Sequence, residues 1–231
     1  MNRPYTFINV AMTADGKIDT FERKGAAISS RQDKQRVDEL RAAADGILVG
    51  GKTLLEESPK LTVKSEALRE DRISRGLSPN PIKVAVVSVA DIPLDSDFIK
   101  TGDTRVVIFT TSRTSKTQIE ILRAAGVEVF VDHDAVHDAP RVDLNKMMLT
   151  LKKIGVDHLM VEGGGTMNFE LIRLGLVDEI MLYIAPMIFG GAQSPTLADG
   201  LGLTRSDAVA LHLAHVEKHE DGGIVLRYKT V

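Results

Sequence analysis

Residues 158–175 read HLMVEGGGTMNFELIRLG. The apolar run ending at Val161 has the look of a buried strand, and MNFELIRLG reads as a helix stopped by Gly175. Between them stand Glu162, Gly163, Gly164, Gly165 and Thr166. Glycines at such a corner let backbone approach closely and turn N–H groups outward. The N-terminus of the following helix adds partial positive charge, which suits a phosphate. Three glycines in a row exceed what a tight turn needs, so phosphate binding is the expectation here. The spacing is not G-x-G-x-x-G, so the dinucleotide fold that goes with that fingerprint does not follow. Glu162, at the mouth of the strand, suits a substrate amine or amide, or caps the turn.

The same arrangement occurs upstream in ILVGGKTLLEES, residues 47–58. A buried strand runs into Gly50 and Gly51, and Thr53 then donates to a phosphate or caps its own helix. Two such corners can hold the diphosphate of a dinucleotide between them. A third stretch, VVIFTTSRTSK, residues 106–116, offers hydroxyls and Arg113 for a ribose phosphate; the favoured reading is a solvated loop with a helix cap.

Working outward, YTFINVAM reads as a strand, ADGK as a turn, and SSRQDKQRVDELRAAAD as a helix capped by Ser29 or Ser30. Residues 65–81, charged and then rich in turn formers, are expected to cross the surface. IKVAVVSVA, TRVVIFTT, VEVFV and DEIMLYIAPMI read as strands, and KTQIEILRAAG and DLNKMMLTLKKIG as helices ending at Gly126 and Gly155. The tail turns at Asp221-Gly222-Gly223 as a hairpin. Strands alternating with helices predict an α/β chain with a mixed, mostly parallel sheet flanked by helices and a C-terminal antiparallel hairpin. Ligands of such sheets bind beyond the carboxyl ends of the strands.

The 231 residues carry a formal net charge of −3 and no basic stripe, against a general nucleic-acid or anionic-membrane binder. The absence of cysteine excludes disulfides, thiolate nucleophiles and sulfur-ligated metals. The longest apolar run, IMLYIAPMIF, falls short of the ~20 residues of a membrane helix. A cytoplasmic protein of one domain, residues 1–231, is expected. His133 and His137 have i,i+4 spacing but lie in a loop-like stretch, so no metal site is expected. Arg41 either snorkels or reaches a phosphate, with Lys64 as a supplement.

Taken together, INVAMTADGKID, ISSRQDKQRVDELRAAADGILVGGKTLLEESPKLT and VDHLMVEGGGTMNFELIRLGLVDEIMLYIAPMIFGG resemble the pyrimidine reductase of riboflavin biosynthesis over nearly the whole chain. The resemblance implies a dihydrofolate-reductase-like fold, a homodimer, and an oxidoreductase that turns the ribosylamino group of a pyrimidinone 5′-phosphate into ribitylamino with NADPH, or NADH. It implies coenzyme contacts at Ala11, Thr53, Glu57, Ser88 and Gly163, Gly164, Gly165 and Thr166. It implies substrate contacts at Arg41, Lys64 and Glu162, with Glu162 the candidate catalytic residue. Proton delivery is left to water, Asp15 or Lys17, and the turn reading of ADGK carries more weight. The chain departs from relatives at Glu57-Ser58, where an aspartate pair is usual, and at MTADGKI and APM. Rival readings are a dihydrofolate or other pterin reductase of the same fold, and a non-catalytic nucleotide-binding module.

Overall fold

The structure is a computed structural model that describes residues 2–132 and 141–231; His133 and His137 lie outside the described residues. In chain order the elements are β1 (Tyr5–Thr13), α1 (Arg31–Ala43), β2 (Gly46–Gly50), α2 (Gly51–Glu57), α3 (Glu66–Ser74) and β3 (Ile82–Val86). Then come α4 (Asp97–Lys100), β4 (Val106–Thr111), α5 (Lys116–Ala124), β5 (Glu128–Asp132) and α6 (Leu144–Lys153). The chain finishes with β6 (His158–Val161), α7 (Gly165–Arg173), β7 (Glu179–Ala185), β8 (Leu211–Lys218) and β9 (Ile224–Thr230). It divides into two compact units, Met1–Pro4 with Asp38–Met160, and Tyr5–Val37 with Val161–Val231.

The first unit carries strands in the order β5-β4-β3-β2-β6, with β2, β3, β4 and β5 paired parallel. Parallel strands buried on both faces need continuous apolar runs. GILVG meets that need: Ile47, Leu48 and Val49 are fully buried, each contributing roughly 1.5–3 kcal/mol of transfer free energy. Helix α6 buries Leu144, Met147, Met148 and Leu151, one stripe at helical spacing. Gly126 and Gly155, at φ 84° and 95°, follow the ends of α5 and α6.

The stretch expected to cross the surface forms α3 instead. Ser65 caps it by accepting from Leu68 N, and the residue it buries is Arg72. The Arg72 guanidinium donates to the carbonyls of Ala42, Ala44 and Ser78, at 2.7–2.8 Å. It thereby satisfies carbonyls at the end of α1. The helix was illegible because its buried group is a cation, so no apolar period marks it.

The second unit pairs β1 with β7 in parallel, with Ala11 opposite Tyr183, and adds β9 and β8 antiparallel. The hairpin turns where expected: Gly222 has φ 87° and Gly223 N donates to Asp221 Oδ1 at 2.9 Å. Ser30 caps α1 by accepting from Asp33 N.

Lys83, on β3, is fully buried, and its Nζ donates to Phe98 O at 2.9 Å and to Thr101 O. Burial lowers its ammonium pKa to about 8. An unfolded lysine titrates near ~10.4, so between those values the unfolded chain binds more protons and stability rises with pH. The urea midpoint of the wild type, relative to Lys83→Met, should therefore climb between pH 8 and 10. A difference that stays flat or falls would contradict this.

Candidate functional site

The first unit carries Arg41, Thr53, Glu57, Lys64 and Ser88; the second carries Ala11, Glu162 and Gly163–Thr166. Helix α7 starts at Gly165, and its N-cap, Gly164, makes no side-chain hydrogen bond to the first turn. Gly163 has φ 95°, and its peptide bond to Gly164 is cis. A side chain at 165 has no room: its Cβ would lie 2.5 Å from Thr196 O and 2.6 Å from Asp199 Oδ2. Asp199 N donates to Gly165 O at 3.0 Å, and the buried Asn168 donates through Nδ2 to Leu197 O at 2.8 Å. The segment 196–199 is therefore strapped to the first turn of α7. Half-buried Glu162 stands immediately before this corner.

The corner at Gly50-Gly51 is built likewise. Gly50 is the N-cap of α2 and makes no side-chain hydrogen bond. Thr53 lies inside the helix, so it is not the capping residue that one reading allowed. A Cβ on Gly51 would touch Val87 Cγ2 at 3.0 Å and Val86 O at 3.3 Å. At the far end of α2, Glu57 is exposed, and Ser58, at φ 44°, accepts from Phe98 N through Oγ at 3.1 Å. The Ser58 hydroxyl thus has a structural partner. Ser88 follows β3, and its carbonyl accepts from Thr111 Oγ1 at 2.7 Å.

Arg41 and Lys64 belong to a second feature of the first unit. Arg41 Nη1 donates to Thr62 O at 3.0 Å. Val63 N donates to Asn80 Oδ1 at 2.9 Å, and Lys64 N and Ser65 N donate to the Asp38 carboxylate at 2.7 and 2.8 Å. Arg69 Nη1 donates to Val63 O at 2.9 Å and to Lys64 O at 2.7 Å. Every polar backbone group from Thr62 O to Ser65 N is held by a side chain, while the Lys64 side chain is exposed. Sequence reasoning missed Asp38, Arg69 and Asn80, because residues that hold backbone leave no periodic mark.

Several other side chains are engaged close to their own positions in the chain. Ser115 caps α5 by accepting from Gln118 N at 3.1 Å. Thr110, on β4, and Thr114 are both buried and share a 2.6 Å hydrogen bond. The Asp15 carboxylate accepts from Thr13 Oγ1 at 2.5 Å and from Gly190 N at 2.7 Å. The Thr13 hydrogen bond lowers its pKa. Lys17 Nζ reaches Ser194 O at 3.5 Å. Among the described residues no three of His, Cys, Asp and Glu gather as metal ligands, and no helix is long and apolar enough to cross a membrane.

Parallel strands that end in glycine corners, closed by an antiparallel hairpin, place the chain in the dihydrofolate-reductase-like α/β class. A pyrimidine reductase-like protein of Corynebacterium diphtheriae superposes with a TM-score of 0.79 at 21% identity, over 100% of this chain and 93% of that one. A dihydrofolate reductase of Enterococcus faecalis, solved with NADP(H), reaches 0.50 at 12% identity over 98% and 96%. Within that class the chain belongs to the RibD C-terminal domain family, which matches residues 4–225. A relative from Archaeoglobus fulgidus, a 2,5-diamino-6-ribosylamino-4(3H)-pyrimidinone 5′-phosphate reductase, is 41% identical over 86% of this chain and 87% of its own.

Gly165→Ala should lower stability by about 1–3 kcal/mol, the usual cost of overpacking. Urea denaturation reads this directly, and an unchanged midpoint would mean that segment 196–199 yields freely.

Proposed function

We propose that this protein is an NAD(P)H-dependent reductase of riboflavin biosynthesis that converts the ribosylamino group of a pyrimidinone 5′-phosphate to ribitylamino. The observation that carries this reading is the 41% identity to the Archaeoglobus reductase across most of both chains. The reading takes residues 1–231 as one reductase domain, acting in the cytoplasm on a small phosphorylated pyrimidine. The coenzyme is NADPH, or NADH.

The residues present fit such a coenzyme. Both glycine corners begin a helix whose N-cap residue has no side chain to accept from the first turn, a place that an anion can take. Gly163–Thr166 take the diphosphate, Thr53, Glu57 and Ser88 make further coenzyme contacts, and the Ala11 backbone lies along it. When bound, the reduced nicotinamide supplies the hydride. The protein's own part is placement. Glu162 accepts hydrogen bonds from the amino edge of the pyrimidine, and Arg41 and Lys64 hold the phosphate. A homodimer is supported by β8, whose eight residues are all exposed, Leu213 and Val216 among them at 46% and 53%. An edge strand with such apolar exposure favours a covering surface.

The test is NADPH oxidation, followed by its absorbance, with deaminated and non-deaminated forms of the pyrimidine phosphate, and with dihydrofolate as the rival. Turnover of one pyrimidine form and none of dihydrofolate is expected; oxidation with dihydrofolate alone would overturn the assignment. Glu162→Gln should reduce kcat by about tenfold or more, the scale of one hydrogen bond to a charged group, while NADPH affinity holds. Equal losses in both would count against a substrate role. Thr53→Val should weaken NADPH binding in a fluorescence titration, and an unaltered dissociation constant would take Thr53 out of the coenzyme site.

A further inference from the structure

The segment Thr62–Ser65 is more rigidly held than a connecting loop requires. Its six successive polar backbone groups go to Arg41, Asn80, Asp38 and Arg69. Just before it, Leu61 is 1% exposed and sits at φ 47°, a left-handed conformation that a branched side chain rarely adopts. Such outliers persist only where the surroundings over-determine them, and they gather at functional sites. Leu61 and Val63 anchor the segment inward, both 1% exposed, while the Lys64 side chain stays exposed.

Three cations attend this short stretch: Arg41 on Thr62 O, Arg69 on Val63 O and Lys64 O, and Lys64 itself. A single carboxylate, Asp38, is hydrogen-bonded to it. From Thr62 to Lys64 the backbone spans at most about 7 Å, so the two guanidiniums grip neighbouring points. A guanidinium carries five N–H donors, and the carbonyls engage only Nη1 of Arg69. Its Nη2 and Nε remain to donate, in the forked geometry that suits phosphate oxygens.

We infer that Arg69 is a specificity-determining residue of the substrate phosphate site, a third cation beside Arg41 and Lys64. This rests on the proposed reading that those two residues hold the substrate's phosphate. Arg69 serves twice: Nη1 fixes the segment, and the rest of the guanidinium faces the phosphate. The segment then acts as a preorganised anion seat on which the enzyme tells a phosphorylated ribosylaminopyrimidine from its dephosphorylated counterpart.

The experiment compares KM for the pyrimidine riboside 5′-phosphate and for the dephosphorylated riboside, in the wild type, Arg41→Ala, Arg69→Ala and Arg69→Gln. Arg69→Ala should raise KM for the phosphorylated substrate about tenfold or more, leaving the riboside and NADPH values in place. Glutamine keeps an N–H donor near the position of the arginine Nε, on a shorter side chain that carries no charge. Arg69→Gln should therefore keep the phosphate-specific loss even with wild-type thermal stability. If Arg69→Gln restores the wild-type KM, or if both substrates suffer alike, Arg69 merely supports the loop and the inference falls. If Arg41→Ala leaves phosphate discrimination intact, the parent assignment of the phosphate site falls with it. Discrimination lost in Arg41→Ala but kept in both Arg69 variants sinks the role of Arg69 alone.

Discussion

Nothing larger than hydrogen fits on the α carbon of residue 165. Thr196 O and Asp199 Oδ2 occupy the space where a Cβ would stand. From that steric fact follows much of the second unit's chemistry. Backbone can press against the first turn of α7 only because no side chain intervenes. Asp199 N can then reach Gly165 O, and Asn168 can hold Leu197 O. With Gly164 as N-cap, the residue before the helix brings no side chain to its N–H groups. A corner of this kind favours an anionic ligand by geometry and by the direction of its peptide dipoles.

The first unit reaches a comparable end by a different route. Gly50-Gly51 repeats the uncapped start, with Val86 and Val87 as the close neighbours. Its second feature is a loop gripped by side chains. Arginine and aspartate there do what a sheet ladder does elsewhere: they give each backbone donor and acceptor a partner. Charged groups used this way fix one conformation, and a fixed loop presents its remaining side chain, Lys64, in one place.

The sequence could be read wherever apolar residues set a period. The strands of GILVG and VVIFTT, helix α6 and the glycine stops after α5 and α6 were all visible. Both glycine corners were visible too, since consecutive glycines after an apolar run have few other uses. Helix α3 could not be seen, because its buried residue is Arg72, whose guanidinium ties off carbonyls of α1 and Ser78. The seat around Thr62–Ser65 was half visible. Arg41 and Lys64 stood out as cations able to reach a phosphate, and resemblance put them at the substrate, whereas Asp38, Asn80 and Arg69 act on main-chain atoms, and such contacts leave no spacing rule.

Lys83 points to a different use of the same molecule. Its amine is sealed inside the sheet on carbonyls of Phe98 and Thr101. Acylating reagents will therefore modify the many surface lysines long before this one. Labelling at Lys83 has to wait for the strands around it to part, and protection of this kind scales with the free energy of opening. The chain thus carries an internal clock for its own breathing, readable by mass spectrometry without any introduced probe.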